Sequence, residues 1–125
     1  MDNKILRGQI YYINEEEVSG SEQEGDRPAV VVSNDTGNKY APIVIVVYLT
    51  AQKKKPMPTH VRINSAKRPS IALCEQIDTV DKGRIGKHIG QVSDDEMKAM
   101  ERALLVSLGI ELTHKTNMLV EKYAQ

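Results

Sequence analysis

The sequence contains no tryptophan and no phenylalanine, and its one cysteine is Cys74. Without large aromatics, the stacking sheets by which general single-strand binders hold successive bases are argued against. A lone cysteine cannot close an internal disulfide, so nothing points to an oxidising compartment. Long hydrophobic runs are also lacking. The longest, Ile43 to Leu49, is far short of the roughly 20 residues that span a bilayer. The opening MDNKILRGQI has no apolar signal region, so a soluble cytoplasmic protein without membrane contact is expected. Net charge is absent too, with 17 basic and 17 acidic residues. At 125 residues the chain is expected to form a single domain over 1–125, large enough to bury about two-thirds of its unfolded surface.

The charges that are present are unevenly placed. Between Asp35 and Glu75 there is no acid, while Lys39, Lys53, Lys54, Lys55, Arg62, Lys67 and Arg68 all fall there. Residues 14–26 carry Glu15, Glu16, Glu17, Glu22, Glu24 and Asp26 with no base. A basic middle beside an acidic loop suggests a face that meets a polyanion, although ordinary solvated loops would give the same pattern.

QIYYI at Gln9 to Ile13 reads as a strand, followed by a polar loop punctuated by Gly20 and Gly25. PAVVVS and PIVIVVYL are unbroken apolar runs, each opened by a proline, and NDTGNKYA between them is turn chemistry. Strands apolar at every position need cover on both faces, which a second copy of the chain would supply, so a homodimer is expected. His60 to Ile63 and Ile71 to Ile77 are further strands, and DKGRI and KHIGQV shorter ones. Ser93 opens a helix through the capping box SDDE, with Met97, Met100, Leu104 and Leu108 as its packed stripe and Gly109 as its stop. Residues 110–125 read as a frayed helical tail. The predicted class is mainly β: a small SH3-like barrel with a C-terminal helix.

Pairing the two apolar runs antiparallel about a turn near Asn38 and Lys39 makes opposed residue numbers sum to about 77, which sets Arg27 opposite Thr50, with a slip of one residue left open by a loop too long to fix the register. Directly opposed side chains start about 5 Å apart. An arginine fork beside a hydroxyl, with Lys53, Lys54 and Lys55 just downstream, suits a phosphate, and Glu22 in the flanking loop offers a carboxylate able to take a proton. On residue types alone, a surface ion pair between Arg27 and a loop acid is the simpler account.

These segments resemble the MazF/PemK/Kid toxins of bacterial toxin–antitoxin modules. The matching text is RGQIYYI, GSEQEGDRPAVVVSN, PIVIVVYLTAQ, MPTHV and CEQIDTVDKGRI, within residues 7–108. G-S-E-Q-x-G-x-R-P followed some twenty residues later by T-x-Q is the specific part. The resemblance implies a CcdB/PemK-like homodimer that cleaves single-stranded mRNA at short sequences without metal or other cofactor, and a partner antitoxin that occludes the site. It also implies catalytic roles for Arg27, Thr50 and Glu22, and RNA-binding positions at Ser21, Gln23, Gln52, Lys53 and Gln76. Cleavage specificity is not carried over, because the loop before Gly20 and the connection after His60 depart from the family pattern.

His60, at a strand start without a matched partner, reads as structural or surface. His88 and His114 share no ligand spacing with other metal-binding residues, so no metal site is expected. Cys74 reads as a small buried hydrophobe and the tyrosines near the barrel as core or interface. The alternative from another class is a non-catalytic toxin on the same fold that poisons DNA gyrase. The combination of Arg27, Thr50 and Gln76 favours the nuclease.

Overall fold

The computed structural model describes residues 4–15 and 27–112. Its strands are β1 (Gln9–Ile13), β2 (Arg27–Val31), β3 (Ile43–Thr50), β4 (His60–Ile63), β5 (Ser70–Asp81) and β6 (Ile85–Gln91), with helices α1 (Asp35–Tyr40) and α2 (Asp94–Ser107). All strand pairs are antiparallel in one sheet of order β4-β5-β3-β2-β1-β6. The sheet curls far enough that Gly90 of β6 comes up against the turn after β4. A Cβ built on that glycine would lie 3.5 Å from the Ser65 carbonyl oxygen. The expected mainly β class with a C-terminal helix is therefore correct.

Alternation along the strands makes two apolar layers. Ile10, Val30, Val47, Leu49, Ile63, Ala72 and Cys74 face one way and pack with Met100 and Ala103 of α2. Tyr11, Ile13, Ala29, Val31, Val44, Val46, Tyr48 and Val80 form the other layer. Both faces of the central strands are thus covered, as unbroken apolar runs require. The second layer is already closed to solvent within a single chain, so these residues do not need another copy to cover them. Ile43 and Ile45, at the start of β3, remain part-exposed.

The β2–β3 register pairs Ala29 with Tyr48, Val30 with Val47 and Val31 with Val46, the expected sum of 77. The connection differs from the expected open turn. Asn34 caps α1 by accepting the Gly37 N–H at 2.7 Å, and buried Asn38 ties the helix back through its amide, which donates to the Ser33 carbonyl at 2.9 Å. The same Asn and Asp residues that favour turns also favour helix caps, which is why the stretch could be read either way. β5 also runs on to Asp81, past the expected end at Ile77. There Val80 points inward while Asp78, Thr79 and Asp81 do not, an alternation that a search for apolar runs misses.

The capping box at Ser93 is present as expected, and Gly109 takes the positive φ that ends α2. Met100 is fully buried, with Met97 and Leu104 packed at the margin. Leu108 departs from the expected stripe: it is the C-cap residue and is 61% exposed, while Ala103 takes the inner position. Glu96 does more than cap. One carboxylate oxygen accepts the Ser93 N–H at 2.9 Å, and the other accepts the Asn64 and Ser65 N–H groups at 2.7 and 3.2 Å. It thereby fastens the β4–β5 turn to α2.

Burial alone would raise the Glu96 carboxyl, but the hydrogen bonds from Ser93, Ser65 and Asn64 outweigh it and hold it below its ordinary value of 4.5. A depressed carboxyl stabilises the fold fully above the unfolded value and loses that contribution as pH falls through the folded one. Glu96→Gln should therefore melt about 3 to 6 °C lower than the parent at neutral pH, with the gap closing as pH drops from 6 toward 3. Calorimetry across that range checks it. A gap independent of pH would contradict the role given to the charge.

Candidate active site

Arg27 opens β2, where its backbone pairs with Ile13 of β1. Pro28 follows and has no N–H to give, and the β2–β3 ladder stops at Ala29 and Tyr48. Continued past that point, the register would set Pro28 opposite Leu49 and then Arg27 opposite Thr50. Arg27 and Thr50 instead both line a cleft of about 860 Å³. The sheet thus opens where its hydrogen bonding ends.

The guanidinium is held on two sides. Its Nη2 donates to the Gln76 Oε1 at 2.6 Å, and its Cζ lies 4.1 Å from the centre of the Tyr48 ring. The buried Tyr48 hydroxyl donates in turn to Asp78 Oδ2 at 2.6 Å. Burial first, and then the Asp78 carboxylate, push the Tyr48 phenol above its ordinary value, so it stays a neutral platform despite the lowering influence of Arg84 and Arg27. An aromatic face under a cation fixes its position without neutralising it. Among the described residues, Gln76 engages one of the five N–H donors of the guanidinium.

Thr50 also lines the cleft, and its Oγ1 accepts the Gln52 N–H at 3.2 Å. That bond uses a lone pair and leaves the hydroxyl proton free to be donated. The cleft is lined by four cations, Arg27, Lys54, Lys67 and Arg68, and by no carboxylate among the described residues. Gln52, Gln76 and Ser70 supply its neutral polar wall, while Tyr12, Leu49 and Ile89 contribute apolar surface.

Arg27, Thr50, Gln52 and Gln76 are therefore brought together. Lys53 does not line the cleft; its neighbour Lys54 does. Ser21, Glu22 and Gln23 lie outside the described residues, as do His114 and most of the 110–125 tail. Sequence reasoning missed Tyr48 as the platform, and it missed the wall formed by Lys67 and Arg68. The acid-free stretch from Lys39 to Arg68 was the available signal for that wall, since the β4–β5 turn folds back to face the exit of β3.

His60 has the partner that its sequence context did not reveal: its Nε2 lies 2.9 Å from Glu75 Oε2. Cys74 is buried, and burial together with the Glu75 charge pushes its thiol up to about 11, leaving it protonated and inert.

The sequence profile of PemK-like, MazF-like toxins of type II toxin–antitoxin systems matches residues 6–108. The chain belongs to this family. It is 44% identical over 111 residues to a protein named Endoribonuclease MazF from Staphylococcus saprophyticus, a match covering 85% of this chain and 92% of that relative. A mycobacterial endoribonuclease solved in complex with its cognate antitoxin superposes with a TM-score of 0.75 at 27% identity, over 87% of this chain and 99% of that one. A MazE–MazF structure from Deinococcus radiodurans shares the fold at a TM-score of 0.72 and 18% identity, over 88% of this chain and 100% of that chain. Among the described residues, no helix is long and apolar enough to cross a membrane.

Four cations in one cleft set the salt dependence of polyanion binding. For single strands each neutralised phosphate contributes about 0.7 to the slope of log affinity against log salt, so the slope should be about −3. An oligodeoxynucleotide, titrated by fluorescence anisotropy at several salt concentrations, reads this directly. Arg68→Ala should flatten the slope by about 0.7. An unchanged slope would mean that Arg68 meets no phosphate.

Proposed function

We propose that the protein is the toxin of a toxin–antitoxin pair and acts as a ribosome-independent endoribonuclease on single-stranded mRNA. The observation that carries this reading is the Arg27 guanidinium, held by Gln76 and Tyr48 in a cleft that Thr50 also lines and whose charged lining, among the described residues, is all cationic. Family membership and the relative named Endoribonuclease MazF support the same reaction class.

RNA brings its own nucleophile, the 2′-hydroxyl. Its oxygen attacks the neighbouring phosphorus, the bond from phosphorus to the 5′-oxygen breaks, and the products are a 2′,3′-cyclic phosphate (or 3′-phosphate) and a 5′-hydroxyl end. The site must align these atoms, take the 2′ proton, return a proton to the leaving oxygen and stabilise charge on the phosphoryl oxygens. Arg27 serves as the stabiliser, because its fork matches two phosphoryl oxygens and it is positioned before substrate arrives. Thr50 donates to a non-bridging oxygen. Glu22 is the assigned proton acceptor, and Arg27 can deliver the proton to the leaving oxygen. Ser21, Gln23, Gln52, Lys53 and Gln76 are assigned to RNA contacts. Charge stabilisation by Arg27 and an internal nucleophile leave no step that calls for a metal, so cleavage is expected to proceed without one.

The partners in this reading are single-stranded RNA, a cognate antitoxin that covers the cleft, and a second copy of the chain. A relative solved with its antitoxin supports the second. The exposed apolar side chains of Tyr40, Ile43 and Ile45 support the third.

Arg27→Ala should cut RNA about 10²- to 10³-fold more slowly with the fold intact, since one preorganised donor of this kind contributes that much. Cleavage of a purified transcript in EDTA, with end mapping and a circular dichroism control, provides the measurement. Full activity of the variant would overturn the assignment. No cleavage by the parent, together with arrested supercoiling by gyrase, would instead support the gyrase-poison reading.

A further inference from the structure

The β3–β5 ladder is interrupted where the site needs it. Val47 pairs with Ile77 and Leu49 with Ala72, so Leu73, Cys74, Glu75 and Gln76 of β5 stand against Tyr48 alone. Bulges bend a strand and re-aim its side chains, and they recur beside active sites. Here Gln76, inside the bulge, supplies the oxygen that holds Arg27. A bulge of this size has lost its ladder bonds to β3, so something else must fix its shape.

The other edge of β5 supplies it. The Cys74 N–H donates to the Thr59 carbonyl at 2.9 Å. The next residue, Glu75, turns its carboxylate back to the same place, where Oε1 accepts the Thr59 hydroxyl at 2.9 Å and Oε2 lies 2.9 Å from His60 Nε2. The His60 side chain is only 9% exposed, and its Nδ1 is buried with no partner among the described residues. The contact with the carboxylate, which can only accept, assigns the Nε2 proton to this hydrogen bond. Gln76 is the next residue and lines the cleft, so tying down Glu75 fixes the backbone from which Gln76 reaches Arg27.

We infer that Thr59, His60 and Glu75 form a positioning clamp for the cleavage site, locking the β5 bulge so that Gln76 orients the Arg27 guanidinium. None of the three lines the cleft. Their effect passes through Gln76, which makes them positioning residues. The inference rests on the ribonuclease reading for its effect on rate, but not for its effect on Arg27 itself.

The test uses the full-length chain and two readouts. In the free protein, the NMR signals of the Arg27 Nε–H and the Gln76 side-chain amide should shift or broaden in Glu75→Ala, and in Thr59→Val as a second variant of closely matched size. Unmoved signals in both overturn the clamp whatever the activity. In cleavage of a defined oligoribonucleotide, Glu75→Ala should lower kcat about 10- to 100-fold with KM within about twofold, the scale expected for a misplaced catalytic group. Gln76→Ala should lower kcat by a similar factor while also raising KM through its RNA contact, and the double variant should lose little further kcat, because both act on Arg27 through one contact. His60→Gln, whose amide can still donate to Glu75, should keep most of the rate that His60→Ala loses. If Arg27→Ala is inactive while Glu75→Ala keeps its kcat, the clamp fails and the ribonuclease reading stands. If Arg27→Ala is fully active, that reading fails and the NMR signals alone decide the clamp.

Discussion

One guanidinium, held in position by uncharged groups among the described residues, is the constraint on which the rest of this structure depends. An arginine at the end of a strand would ordinarily pair with a carboxylate or wander in solvent, and either outcome spoils it as a binder of phosphate. Here a neutral amide oxygen and the face of a neutral phenol hold it instead. Tyr48 can serve as that face because it is buried and spends its hydroxyl on Asp78, which keeps the nearby carboxylate occupied at one remove from Arg27. Among the described residues, neither of the groups that hold Arg27 carries a charge to offset its own.

The fold supplies the opening and the wall. Pro28 cannot donate, the ladder between β2 and β3 ends at Ala29, and Arg27 and Thr50 line the cleft. Across from them the β4–β5 turn carries Lys67 and Arg68, and Glu96 of α2 fastens the start of that turn through the Asn64 and Ser65 amides. A capping carboxylate thus has a second duty, linking the helix to one wall of the cleft. This gives the C-terminal helix a physical connection to the site although it contributes no side chain to the cleft lining.

The hairpin was the most legible part of the sequence, because two apolar runs joined by a short polar stretch have few ways to pair, and the register at Ala29, Val30 and Val31 followed. The capping box at Ser93 was equally plain, since its chemistry is local. The family resemblance then named Arg27, Thr50 and Gln76, which the structure gathers in one cleft. What stayed hidden depends on curvature. Nothing local to Lys67 or Arg68 says that their turn faces residue 50, and nothing in IALCEQI says that four of its residues will stand against one. Tyr48 read as core, which it is, but its ring also supports a cation from the next strand. The homodimer was expected because the second sheet face needed cover, yet that face does not itself require a second copy. Those residues already pack against one another within a single curled sheet.

The most direct measurement is a crystal structure with an oligodeoxynucleotide, which lacks the 2′-hydroxyl and so stays whole. The account predicts one phosphate seated between the Arg27 fork and the Thr50 hydroxyl, within hydrogen-bond reach of both, with its chain running toward Lys67 and Arg68. A nucleic acid bound elsewhere, leaving Arg27 in contact with Gln76 alone, would contradict it.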